Sequence, residues 1–183
     1  MEQFFPGIPA VRYEGRQSRN PFAFRFYNPD ELVGGRTMRE QLRFAVSYWH
    51  TLCGDGTDMF GTGTHRRGWN VADPMARARA KADAAFELME KLGVDFFCFH
   101  DRDIAPEADT LRETNARLDE IADLLAEKIQ ATGRRVLWGT ANCFSNPRYL
   151  HGAGTSPNAD AFAFAAAQIK KALDVTVKLG GRG

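Results

Sequence analysis

The sequence contains no Cys-x-x-Cys pair. Its only cysteines are Cys53, Cys98 and Cys143, an odd number that cannot all pair within one chain. Two of them sit in or beside apolar runs, which favours reduced, packed thiols over a zinc site or a disulfide frame. Long apolar runs are missing too, so nothing is expected to span a bilayer. The amino-terminal stretch, with Arg12, Glu14, Arg16 and Arg19, lacks the layout of a secretory signal. A cytoplasmic protein with no membrane partner is expected. No charge of one sign dominates: the formal net charge is +1, which gives no reason to expect nucleic acid, and a small neutral ligand fits at least as well. No Gly-x-Gly-x-x-Gly follows an apolar strand and no P-loop is present, so nucleotide-binding versions of an open sheet lose support.

What is present is a repeating alternation of short apolar strands and amphipathic helices. Residues 1–40 are rich in Pro, Gly and Arg, carry aromatics at Phe22, Phe24, Phe26 and Tyr27, and read as an irregular arm with one short helix from Asp30. Residues 41–183 read as three strand-then-helix units. The first has a strand from Phe44 to His50, a glycine-rich loop through Asp55, Asp58, Phe60 and Gly63, and a helix with Asp73 as N-cap, Pro74 in its first turn and Gly93 past its end. Met75, Ala78, Ala82, Ala85, Met89 and Leu92, spaced three and four apart, form its inner face. The second has a strand from Phe96 to Phe99, a charged loop, and a helix from about Thr110 with the stripe Leu111, Leu118, Ile121, Leu125 and Ile129, stopping before Gly133. The third has a strand from Val136 to Thr140, a long loop through Pro147 and Gly154, and a helix from Asn158 with Phe162, Ala166, Ile169, Leu173 and Leu179 facing in. Such alternation implies parallel pairing. The strands end in Trp49 and His50, then His100 and Asp103, then Trp138, Thr140 and Phe144. Functional groups on successive strand ends are the pattern of a barrel, yet 183 residues fall short of the roughly 250 that a complete (β/α)8 barrel needs.

The richest stretch is Phe96 to Pro106, where an apolar strand ends in His100, Asp101 and Asp103. A carboxylate within hydrogen-bond reach of an imidazole fixes its tautomer and holds the ring still, which suits a histidine moving protons on and off a hydroxyl. The competing reading is a loop in which Asp101, Arg102 and Asp103 merely solvate one another. Trp49, Trp138 and Phe144 could wall a sugar site or simply fill a core, and Thr140 could donate to a ligand hydroxyl. His50, His65 and His151 have no metal-ligand spacing, while Glu107, Asp109 and Glu113 read as a charged helix start. No metal site is expected from these residues, since oxygen-ligated cations need carboxylates converging from several elements and no strand carries one within its span.

With these strand ends in view, the chain resembles the amino-terminal part of a xylose isomerase of the longer type with an amino-terminal arm. Phe-Cys-Phe-His-Asp-Arg-Asp-Ile-Ala-Pro-Glu at 97–107 is similar to the family's histidine signature, and Val-Leu-Trp-Gly-Thr-Ala-Asn-Cys-Phe at 136–144 to its next active-site strand. Segments 20–29, 43–50 and 55–61 also fit, and the match runs from near residue 1 to about Gly181. The resemblance implies a TIM barrel, of which this chain covers the arm and about the first three βα units. It also implies interconversion of D-xylose and D-xylulose. His100 would assist ring opening, Asp103 would orient it, Trp49, Thr140 and Phe144 would line the sugar pocket, and Phe60 would reach a neighbouring subunit's site in a homo-oligomer, a tetramer in the family. Two divalent cations, Mg²⁺ or else Mn²⁺ or Co²⁺, would mediate the hydride shift, but their ligands lie on later strands of the family barrel. The chain ends at Gly183, with Arg182 and Gly183 in place of the expected fourth strand. It is therefore expected to be inactive alone and, with open sheet edges, marginal or oligomeric. Alternatives are another metal-dependent barrel enzyme, such as a sugar epimerase or a nuclease, and a non-catalytic half-barrel. Ala108 stands where the family usually has glycine, which is tolerable if its backbone angle is ordinary.

Overall fold

The segments with the strongest alternation of apolar runs become one parallel sheet. In the computed structural model, which describes residues 3–181, strands β1 (Ala45–Ser47), β2 (Phe96–His100) and β3 (Arg135–Thr140) lie side by side in that order. Each is followed by a helix: α1 (Pro74–Leu92), α2 (Leu111–Thr132) and α3 (Ala159–Lys178). Arg182 and Gly183, at which the sequence reading has the chain stop short of a fourth strand, lie outside the described residues.

The helix boundaries follow from capping chemistry. The Asp73 carboxylate accepts the Ala76 N–H to open α1, and Thr110 and Asn158 do the same work for α2 and α3. Gly93 and Gly133 close α1 and α2 in the left-handed conformation that a side chain disfavours, at φ of 64° and 70°.

Register decides which side chains face the helices and which face the site. Paired residues of parallel strands share a face. Val46 pairs with Phe97 and Phe97 with Val136, and Phe99 pairs with Gly139. This face is the core: Phe97 and Phe99 are fully buried beneath Ala78, Ala82, Ala85, Phe86 and Met89 of α1 and Leu118, Ile121 and Leu125 of α2. Burying each large side chain contributes about 1.5–3 kcal/mol. The opposite face carries Ser47, Cys98, Trp138, His100 and Thr140, because the register skips Leu137 and pairs Cys98 with Trp138 and His100 with Thr140. That irregularity re-aims the end of β3, so that Trp138 and Thr140 share the face of His100.

Four details depart from the sequence reading. The first strand is shorter than Phe44 to His50, because the chain turns into a π-helical turn at Trp49–Cys53. The charged loop after β2 is a helical turn, Asp101–Ile104. In the arm, the segment after Asp30 is a two-residue-loop hairpin, Leu32–Val33 against Arg36–Thr37, made possible by Gly34 and Gly35 at φ of 60° and 81°. A short helix follows only at Met38–Gln41, opened by a Thr37–Glu40 capping box. Lastly, α3 is rotated by about one residue. Its buried face is Ala165, Gln168, Ala172, Val175 and Thr176, with Leu179 buried just beyond its end, while Phe162, Ala166, Ile169 and Leu173 stand exposed. Small side chains let the helix lie close to Gly139, whose missing Cβ would stand 2.7 Å from Phe99 Cζ.

The arm is tied to α1. Glu87 accepts the backbone N–H groups of Phe4 and Phe5 at 2.7 and 3.1 Å, and Lys91 Nζ donates to the carbonyls of Phe5 and Ile8. Ala108 has an ordinary backbone angle, since among the described residues only glycines take positive φ. Among the described residues no helix is long and apolar enough to cross a membrane.

Candidate active site

His100 owes its place to two local rules. Alternation along β2 points Phe97 and Phe99 into the core and His100 to the other face. The helical turn beginning at Asp101 then makes His100 the N-cap and brings Asp103 back over it. Asp103 Oδ2 accepts both the backbone N–H of His100 and its ring Nδ1–H, each at 2.8 Å. The side chains are 14% and 9% exposed. A carboxylate facing Nδ1 requires the proton there, which leaves Nε2 as the ring's free basic atom. Among the described residues no protein group hydrogen-bonds Nε2.

Aromatic rings surround the imidazole. Trp49, delivered by the π-helical turn after β1, lies 4.8 Å from it between centroids, and Phe144 meets it edge to face at 5.2 Å. Trp138 stands 6.3 Å away and 5.3 Å from Trp49. Each such pair contributes about 0.5–1.5 kcal/mol beyond its buried area. Thr140 is exposed at the end of β3, directly across the ladder from His100. Thus His100, Asp103, Trp49, Thr140 and Phe144 all gather at the carboxyl end of the sheet, together with Trp138. Phe60 forms no ring contact with these aromatics and is 90% exposed in the loop after the π-helical turn.

Several polar residues around the pair escaped the sequence reading. Asp101 is only 1% exposed, and its carboxylate accepts from the backbone N–H of Arg102 and Asn142 and from Gln168 Nε2. It does more than solvate its neighbours. Gln168 carried one signal, a lone amide among alanines at the spacing of a buried face. Lys81 of α1 donates to the carbonyl of Asp103 at 2.7 Å, bracing the turn from behind. Glu107 belongs to no helix start; it pairs with Arg148 at 2.6 Å and accepts from Asn146 at 3.0 Å. Burial works against its ionisation, but those two hydrogen bonds and the Arg148 and Arg102 charges outweigh it and hold the carboxyl below its usual range. Burial, reinforced by the charge of Asp103, pushes the Cys98 thiol up to about 11 and keeps it inert.

A separate apolar cavity of about 310 Å³, lined by Tyr27, Leu42, Phe44, Val94 and Phe96 among others, lies at the opposite end of the strands. In parallel α/β architectures that end serves stability, and the end bearing His100 serves chemistry.

No three His, Cys, Asp or Glu side chains converge to hold a metal ion among the described residues.

The chain is thus an α/β protein whose parallel sheet gathers a histidine–aspartate pair and aromatic side chains at the carboxyl ends of its strands. No family model matches the chain. Curated relatives do match: it is 57% identical over 181 residues to a xylose isomerase of Thermoanaerobacter sp., 55% over 183 to one of Thermoanaerobacterium thermosaccharolyticum, and 53% over 184 to one of Thermotoga maritima. These alignments take in 98–100% of the chain but only 41–42% of each relative. Over nearly its whole length the chain is similar to xylose isomerases, and it spans about two fifths of the length of the relatives it matches.

Proposed function

We propose that this chain carries the ring-opening part of an aldose–ketose isomerase site that interconverts D-xylose and D-xylulose. The observation that supports this best is the His100–Asp103 pair, held at 2.8 Å inside an aromatic cage at the strand ends. Opening a cyclic aldose requires a proton to leave the anomeric hydroxyl and another to reach the ring oxygen. His100 moves these protons at Nε2, while Asp103 fixes the tautomer at Nδ1. Trp49, Trp138 and Phe144 pack against the sugar's C–H faces and thin the water around the proton path. Thr140 donates its hydroxyl to a sugar oxygen. The hydride shift then belongs to cations and ligands contributed outside this stretch.

The three βα pairs are the opening part of a TIM barrel on this reading, in a cytoplasmic homo-oligomer. Phe60, 90% exposed, suits a role in a neighbouring subunit's site.

Titrating the chain with D-xylose while following tryptophan emission tests the reading. Saturable quenching at millimolar sugar is expected, absent in Trp49→Ala; a linear, unsaturable response identical in both proteins would contradict it.

A further inference from the structure

Phe144 is 66% exposed and sits in a loop, yet its ring meets His100 edge to face. An exposed loop residue does not hold such a place by its own packing. Its position traces back to a buried polar clamp. Gln168 of α3, 2% exposed, donates from Nε2 to Asp101 Oδ2 at 2.8 Å and to the carbonyl of Asn142 at 3.0 Å. Asp101 Oδ1 accepts the N–H of the same Asn142 at 2.8 Å. Both backbone groups of one residue are thus gripped by an amide and a carboxylate that also bond each other. Tyr149 OH, donating to Gln168 Oε1 at 2.6 Å, uses the remaining polar end of that amide and fixes which way round it lies.

Asn142 passes the restraint on. Its side-chain Oδ1 accepts the N–H groups of Phe144 and Ser145 at 3.3 and 2.9 Å, and its Nδ2 donates to Ser145 Oγ at 3.0 Å. The path from α3 to the imidazole is therefore continuous: Gln168 and Asp101, the peptide of Asn142, its side chain, then the ring of Phe144.

We infer that Gln168 and Asp101 are positioning residues, which lock the loop after β3 onto the turn after β2 and so set Phe144 against His100. Neither touches the imidazole. The clamp is buried, so each lost bond leaves a desolvated partner behind. The consequence for chemistry rests on the ring-opening reading above; the geometric claim does not.

Histidine ring resonances are few, since the chain has four histidines, so the contact can be followed by the nuclear Overhauser effect between the Phe144 and His100 rings. Gln168→Leu is expected to abolish that contact and to shift the His100 ring signals in a chain that remains folded. Gln168→Glu, which sets two carboxylates face to face, is expected to do the same. The double variant Asp101→Asn/Gln168→Glu exchanges donor and acceptor, so that the two side chains still bond each other, Tyr149 and the Asn142 N–H, while the bond to the Asn142 carbonyl and the Asp101–Arg102 ion pair are given up; it is expected to recover the contact that Gln168→Glu alone loses. A merely structural role would lower the melting temperature and leave the contact in place, and that result in Gln168→Leu overturns the proposal. So does a double variant that fails to regain the contact, whether it folds or not. If ring opening is measured, Gln168→Leu lowers its rate about 10- to 100-fold through misplacement. D-Xylose added to the unaltered chain that moves no His100 signal would sink the ring-opening reading while leaving the clamp intact.

Discussion

Asp103 accepts two hydrogen bonds from one residue, the backbone N–H and the ring Nδ1–H of His100, and so holds the ring by one edge. Replacing it by alanine removes the acceptor that holds the proton at Nδ1. The ring is then expected to move its proton from Nδ1 toward Nε2, which long-range ¹H–¹⁵N correlation of the His100 ring reads directly; an unchanged tautomer in Asp103→Ala would refute the assigned role. This pair was legible in the sequence because it is local: three residues apart, at a strand end, one helical turn closes the contact. Asp101 was not legible in the same way. Its partners Asn142 and Gln168 lie 41 and 67 residues away, and nothing in a charged tetrapeptide says which carboxylate will be buried. Trp49 and Phe144 stood out as residue types, but only the register and the clamp place them around one ring.

The elements were read well where capping and periodicity agree, as in α1 and α2 with their Asp73 and Thr110 caps and their glycine stops. The third helix was read from its larger apolar residues, and of those Phe162, Ile169 and Leu173 face outward. The physical reason lies in β3. Gly139 leaves room for α3 to approach so closely that only small side chains and Gln168 fit between them. Gly139→Ala would drive a methyl against Phe99, within 2.7 Å of Cζ and 3.0 Å of Cε2, and against Thr176 of α3. Relief requires the helix to move, so a loss of about 1–3 kcal/mol is expected, read as a lower urea midpoint. A change within about 0.5 kcal/mol would show that the approach is not tight. The π-helical turn that delivers Trp49 left no clear mark in the sequence, since its residues also fit a continued strand.

At the scale of the molecule, the order of the three strands leaves β1 and β3 each with an unpaired edge among the described residues. The helix layer is open as well: Phe162, Leu173 and Val177 of α3 are 51%, 53% and 74% exposed. Apolar side chains on a helix beside an open strand edge favour association. The chain is expected to self-associate as its concentration rises in sedimentation velocity, and Phe162→Glu with Leu173→Glu to weaken that association; a monomer at every concentration would contradict it. The parallel order of the sheet was legible in the alternation of strands and helices. The covering of its edges was not.

Exchange between the anomers of D-xylose proceeds through the open chain, so its rate measures ring opening apart from any hydride shift. Followed by magnetisation transfer, it is expected to be accelerated by this chain without formation of D-xylulose, and to fall about 10²-fold or more in His100→Gln. Anomer exchange at the same rate with and without the chain, or undiminished in that variant, would contradict the assignment of His100 and Asp103 to sugar ring opening.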